Sequence, residues 1–245
     1  MFDGFFIPMF TEFKLDPKVQ AFTTTTKLGN MAYQVDDGKG VFANRTKLCN
    51  KLGIKTNQLI LTHQSHSSVI KEVFDTDLGK GESSFESGID ADGFYTNSHN
   101  ITIGIFHADC VPLFFYDSVK DYIGIVHCGY RGTLNHAAKT MIQTYLQENH
   151  SNIKDIKFFI GPCRRTASFE LNETSSQEIS SSLLNKYIKN NCFDMVSVLV
   201  DDLLSLGIDN SQIQDSNLDT VNNPTYYSAY EKTPVGRMVS CIRFR

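Results

Sequence analysis

Tryptophan is missing from this chain of 245 residues, so its aromatic bulk comes from 18 phenylalanines and 10 tyrosines. That composition predicts a core rich in Phe. Long apolar runs are missing too. None approaches the roughly 20 residues of a membrane helix, which excludes a helical span. The opening residues MFDGFFIPMF are apolar, but they carry no positive cluster and contain Asp3 and Pro8. They do not read as a secretion signal, and the expected compartment is the cytoplasm. A large charge of one sign is also absent. The net charge of −4 gives no general attraction to nucleic acid or to anionic lipid. No C-x-x-C pair occurs; Cys49, Cys110, Cys128, Cys163, Cys192 and Cys241 are scattered and read as free thiols of a cytoplasmic chain. Repeats, low-complexity tracts and long linkers are lacking. Residues 1–245 are therefore expected to form one domain in which helices and strands alternate.

Periodicity and turn chemistry outline those elements. A helix is expected over Asn44–Leu52, ended by Gly53. Strands are expected at Gln58–Thr62, Ile101–Phe106, Leu113–Tyr116, Tyr122–His127, Lys157–Ile160 and Met238–Phe244. Residues Lys80–Gly93 read as a loop, and Pro112 as an interruption that leaves Ala108-Asp109-Cys110 on a turn or bulge. Leu134, Ala137, Ala138, Met141, Ile142, Tyr145 and Leu146 form one apolar helical face, with Gly129 and Gly132 making the turn before it. Ser175 and Glu178 fit a capping box for a helix running to about Ile188. A further helix is expected over Met195–Leu206, stopped by Gly207.

Three strand ends carry polar residues that packing does not require: His63-Gln64-Ser65-His66, His107-Ala108-Asp109-Cys110 and His127-Cys128-Gly129-Tyr130-Arg131-Gly132. Four of the seven histidines fall in these segments. Rigid strands that deliver side chains from their ends are a common way to build an active site. One thiolate and two imidazoles make a three-ligand zinc set with a fourth position open to water or substrate. Spacing alone leaves two readings open. The other is that each His is a satisfied strand-end residue and Cys110 a small buried hydrophobe.

The set His-Gln-Ser-His, Asp-Ala-Asp-Gly-Phe-Tyr-Thr-Asn, Ala-Asp-Cys-Val-Pro-Leu, His-Cys-Gly-Tyr-Arg-Gly and Ile-Gly-Pro-Cys occurs in this order. It resembles the polyphenol oxidoreductase family, the laccase-domain purine nucleoside phosphorylases, over roughly residues 23–240. Carried over residue by residue, the resemblance implies metal ligands His66, Cys110 and His127. It also implies a mixed β-sheet sandwich flanked by helices, an α+β fold similar to the catalytic domain of cytotoxic necrotizing factor. The implied activity is zinc-dependent phosphorolysis of adenosine, inosine and methylthioadenosine, with adenosine deamination. Implied partners are purine nucleosides and phosphate, with neither nucleic acid nor membrane; oligomeric state is left open. Departures from the family pattern are Ser67 for Gly, His107 for Thr or Ser, Cys128 for Ala and Tyr130 for Trp. Near the C-terminus, Gly236-Arg237 matches the family.

Other candidates divide between functional and bland roles. Asp109 either orients a ligand or serves as an acid/base beside Cys110 and His127, or caps its turn. Arg131 binds an anion or substrate, or forms a surface ion pair. Asn30 and Arg45 resemble family residues near the substrate pocket, and Arg45 joins Arg131 as a candidate for phosphate. Asp90-Ala91-Asp92-Gly93 reads as a structural turn close to the site, and Cys163 as a packed thiol. Two competing functions remain. A copper-dependent phenol oxidase needs many imidazoles, and seven histidines without a His-x-His pair are too few. A metal-free hydrolase would use a Cys110–His127 dyad.

Overall fold

The structure is a computed structural model in which residues 7–35, 39–230 and 234–245 are described. In chain order its strands are β1 (Phe10–Phe13), β2 (Val19–Thr24), β3 (Leu59–His63), β4 (Ile70–Glu72), β5 (Ile89–Asp90), β6 (Gly93–Thr96) and β7 (Thr102–His107). They continue with β8 (Val111–Asp117), β9 (Tyr122–Cys128), β10 (Ile156–Ile160), β11 (Ile188–Lys189), β12 (Cys192–Phe193), β13 (Ile213–Asp215) and β14 (Met238–Phe244). The helices are α1 (Val41–Leu52), α2 (Tyr130–Leu134), α3 (Ala137–Asn149), α4 (Glu173–Ser181) and α5 (Met195–Ser205). Two six-stranded mixed sheets are formed, in the orders β1-β2-β14-β7-β3-β5 and β13-β10-β8-β9-β6-β4.

Side chains alternate between the faces of each strand, and this places the core. Ile103 and Ile105 of β7 and Ile242 of β14 face Phe94, Phe114, Ile123 and Ile125 of the second sheet, making a dry layer between the sheets. The opposite face of the second sheet carries Val111, Leu113, Phe115 and Val126 against Met141, Ile142 and Tyr145 of α3 and Val198 and Leu199 of α5. The far face of the first sheet, with Phe22, Leu61, Phe106 and Cys241, is covered by Leu48 and Cys49 of α1. Strands β7 and β8 are buried on both faces, which explains their near-continuous apolar sequences. Each fully buried Phe stabilises by about 1.5–3 kcal/mol relative to exposure. The Phe-rich composition thus reappears as filling for both layers.

Several boundaries differ from the sequence expectation. Pro112 does not interrupt its strand. Its carbonyl accepts from the Gly161 N–H, and its missing donor breaks no ladder because β10 ends at Ile160. The expected loop over Lys80–Gly93 contains β5 and the first residue of β6. Leu134 belongs to α2, which also contains Gly132; His136 then turns left-handed (φ 52°) and α3 starts at Ala137. The cap of α4 is Asn172, which accepts from the Ser175 amide, and that helix ends at Ser181 rather than near Ile188. Strands β1, β2, β4, β11, β12 and β13 were not foreseen. The C-terminal strand and the Gly53 and Gly207 stops lie where the sequence put them.

Candidate functional site

The end of β3 is carried past the sheet by Gln64. Its amide nitrogen donates to the Phe106 carbonyl at 2.9 Å and its amide oxygen accepts from the Phe106 N–H. This clamps the Gln-Ser-His turn to β7. The turn then wraps around a carboxylate. The amides of Ser65, His66 and Ser67 donate to Asp92 at 3.2, 3.0 and 2.7 Å, and the Ser67 hydroxyl adds a bond at 2.8 Å. Convergent amides of this kind form a nest for an anion. His66 takes a left-handed backbone (φ 61°), which the bonds to Asp92 hold in place.

Asp92 is fully buried and also reaches the second sheet. Its Oδ1 accepts from His127 Nδ1 at 2.9 Å, and its carbonyl accepts from the His127 amide at 2.7 Å. The first of these bonds fixes the tautomer and leaves Nε2 of His127 to face Cys110. Cys110 follows Asp109, which is itself left-handed (φ 85°). The ligand atoms of His66, Cys110 and His127 all lie within 4.8 Å of one another. The two imidazole centroids are 4.9 Å apart and nearly perpendicular at 73°. Gly129 makes this convergence possible. A Cβ there would stand 2.7 Å from the His66 ring and 3.1 Å from Cys110 Sγ.

The electrostatics favour a cation among these groups. Burial pushes the Cys110 thiol up, but His127 and His66 outweigh it and bring the thiol down to about 6. Burial opposes charge on His127 too, yet Cys110 and Asp92 raise it to about 9. Asp92 is held at about 2 because His127 and the Ser67 bonds outweigh its burial. The site thus carries a thiolate and a carboxylate on either side of His127, which takes up a proton as the cation between them when no other cation is there. One sulfur and two nitrogens, with a carboxylate orienting one histidine, are donors suited to a metal ion. Among the described residues this is the one group of three that could hold one.

A cleft of about 170 Å³ opens over the three ligands. Gln34, His107, Ala229 and Arg237 also line it. His107 is buried to 2% exposure between the sheets. Its Nε2 bonds Ser240 at 2.7 Å, and Ser240 bonds Thr23 at 2.6 Å. Burial takes His107 down to about 3, so it is neutral. Cys128 points to the opposite face of β9, into the α3 side of the core, and does not approach the ligands' open side. The hydroxyl of Tyr130 donates to the Ser175 carbonyl.

The remaining candidates are dispersed. Arg45 is 3% exposed and its donors are spent on the carbonyls of Met31, Gly81 and Glu82, with Tyr33 stacked 4.5 Å away. That placement corrects its assignment to phosphate: the side chain ties α1 to two loops. Asn30 accepts from the amides of Ala32 and Arg237 and donates to the carbonyls of Ala32 and Val35. It positions Arg237 rather than lining the cleft. The Asp109 carboxylate accepts from the Thr220 and Ser228 hydroxyls and from the amides of Ala229 and Tyr230. This is the geometry of an anchor for the 228–230 segment, not of a free acid/base. Arg131 lies in a neighbouring cleft. Cys163 is buried and its thiol is pushed up to about 12 by that burial, as a packed thiol should be.

Sequence reasoning missed the roles of Asp92, Gln64 and Arg237. The Asp-Ala-Asp and Gly-Arg motifs held the signal. The contacts are made across 25 to 42 residues of chain for Asp92 and Gln64 and 207 for Arg237, which no local pattern conveys.

Residues 21–245 match the family described as multi-copper polyphenol oxidoreductase laccase. The chain belongs to this family. Among curated relatives, purine nucleoside phosphorylase YlmD of Bacillus subtilis is 27% identical over 84% of this chain and 78% of its own length. Purine nucleoside phosphorylase SSP1584 of Staphylococcus saprophyticus is 26% identical over 87% of this chain and 84% of its own. The crystal structure of hypothetical protein YfiH from Bacillus licheniformis superposes with a TM-score of 0.88 at 27% identity, covering 97% of each chain. YlmD from Geobacillus stearothermophilus superposes at 0.84 with 23% identity, covering 95% of this chain and 94% of its own, which supports the fold. No helix among the described residues is long and apolar enough to cross a membrane.

Proposed function

We propose that this chain is a zinc-dependent purine nucleoside phosphorylase acting on adenosine, inosine and methylthioadenosine, with adenosine deaminase activity, within one domain spanning 1–245. The observation that carries the reading is the Asp92-braced His66–Cys110–His127 group at the floor of a cleft that Arg237 also lines. The names of the relatives support the substrate class. When bound, zinc supplies a Lewis acid that ionises water near neutral pH.

The residues around that centre have separable tasks. Asp92 holds the His127 proton on Nδ1 and so keeps Nε2 available. Arg237 brings positive charge to the cleft, where negative charge develops on the departing purine during phosphorolysis. Gln34 and neutral His107 offer hydrogen bonds to a base. Asp109 fixes Ala229 at the rim. Loss of phosphate-dependent ribose 1-phosphate formation in His127→Ala supports this function, and full activity in that variant contradicts it.

A second reading has its own observation: Cys110 lies low enough, at about 6, to be a nucleophilic thiolate beside His127. It predicts hydrolysis that chelators do not touch and iodoacetamide abolishes. Protection of Cys110 from iodoacetamide by zinc favours the first reading. A copper oxidase is the least supported, since only one metal-binding group is found among the described residues.

A further inference from the structure

The cleft over the metal ligands, about 170 Å³, is smaller than the roughly 300 Å³ or more that usually encloses a whole small-molecule ligand. A second cleft of about 360 Å³ adjoins it. The two share the segment anchored by Asp109: Ala229 lines the first and Tyr230 the second. The Asp109 carbonyl also accepts from the Arg164 amide at 2.9 Å, tying the residue before Cys110 to the wall of the second cleft.

Arg164 is the unusual feature there. Its guanidinium carbon sits 4.4 Å from the Phe169 ring centre and 3.9 Å from that of Tyr230, clamped between two aromatic faces. Nε donates to the Ser168 carbonyl at 2.8 Å. Nη2 is buried and has no hydrogen-bond partner. Leaving a buried donor unpaired costs about 1–3 kcal/mol, and more when it is charged. The two stacked rings offset part of that cost, and no hydrogen bond among the described residues does. The Tyr230 ring over it is 54% exposed, and its residue is pinned through the main-chain amide to Asp109. Arg131, exposed, lines the same cleft. Two carboxylates line it as well. Glu178 is half-buried beside Tyr130, and Glu170 is exposed where water screens it.

We propose that this second cleft is an oxyanion site in which Arg164, with Arg131, holds a phosphate group beside the metal centre. A planar, aromatic-clamped guanidinium presents its donors as a fixed fork, the geometry that suits phosphate oxygens. As an anion site it stands on Arg164 alone; as the seat of the co-substrate in phosphorolysis it rests on the function proposed above.

The test is calorimetric titration of the metal-loaded chain with inorganic phosphate, without nucleoside. The expected result is saturable binding that weakens tenfold or more in Arg164→Met and several-fold in Arg131→Ala, and tightens in Glu170→Gln. Arg131 is on the surface, so its removal cannot be confused with misfolding. Absence of phosphate binding, or equal affinity in the wild type and both arginine variants, overturns the proposal. Displacement of phosphate by adenosine 5′-monophosphate but not by adenosine assigns the site to a nucleotide's phosphoryl group; no displacement assigns it to free phosphate. Either result supports the oxyanion site. Phosphate binding that persists in a chain unable to cleave nucleosides would sink the proposed function and leave this site standing.

Discussion

Replacing Asp92 with asparagine preserves its size but puts an NH₂ group where three amides, a hydroxyl and an imidazole all converge as donors. Some of those donors must then go unpaired, and His127 loses the partner that fixes its tautomer. The expected outcome is metal affinity reduced about 10–100-fold, measured by competition with a chromophoric chelator. Unchanged affinity would show that Asp92 only shapes the turn. Cys110 gives a second test. Its thiol lies at about 6 because His127 outweighs the burial that pushes it up. In the metal-stripped chain the rate of iodoacetamide alkylation should climb through pH near 6, and the midpoint should move upward in His127→Ala. A wild-type midpoint near 9 would remove the thiolate from the site. The three ligands were visible as strand-end residues in an ordered set of motifs. Arg45 was misread because its partners, the Met31 and Gly81 carbonyls, are brought to it by two loops that sequence does not place.

At the scale of elements, the sequence was most legible where apolar pattern and a stop signal agreed, as in α1 with Gly53 and α5 with Gly207. It was least legible where tertiary contact overrode local pattern. The apolar stripe from Leu134 onward is shared by two helices because His136 turns left-handed and bonds Asp202 of α5 at 2.7 Å. Pro112 looked like a break because the early end of β10 could not be foreseen. Asp194 caps α5 by accepting from the Ser197 amide at 3.0 Å. Asp194→Ala should cost about 1 kcal/mol. In a chain of this length that is a fall in Tm of about 2–4 °C by thermal melting. An unchanged Tm would mean that packing against α3, rather than the cap, holds the start of α5.

Across the whole molecule, the two sheets meet at one end through the three proposed metal ligands. His66 follows β3 of the first sheet, His127 ends β9 of the second, and Cys110 sits in the crossing between β7 and β8. An ion bound there would fasten one sheet to the other. Chelation should lower the Tm and added zinc should restore it; ligand present at about a hundredfold excess over Kd adds roughly 2.7 kcal/mol to the folded state. The sandwich was implied by the family resemblance, whereas apolar patterning gave only individual strands and neither route gave their pairing across the two sheets. The most direct measurement is elemental analysis of the chain purified without added metal, beside Cys110→Ser. About one zinc per chain in the wild type, lost in the variant, is the expected result. Copper well above zinc, or the same zinc content in both proteins, would contradict a single zinc centre at His66, Cys110 and His127.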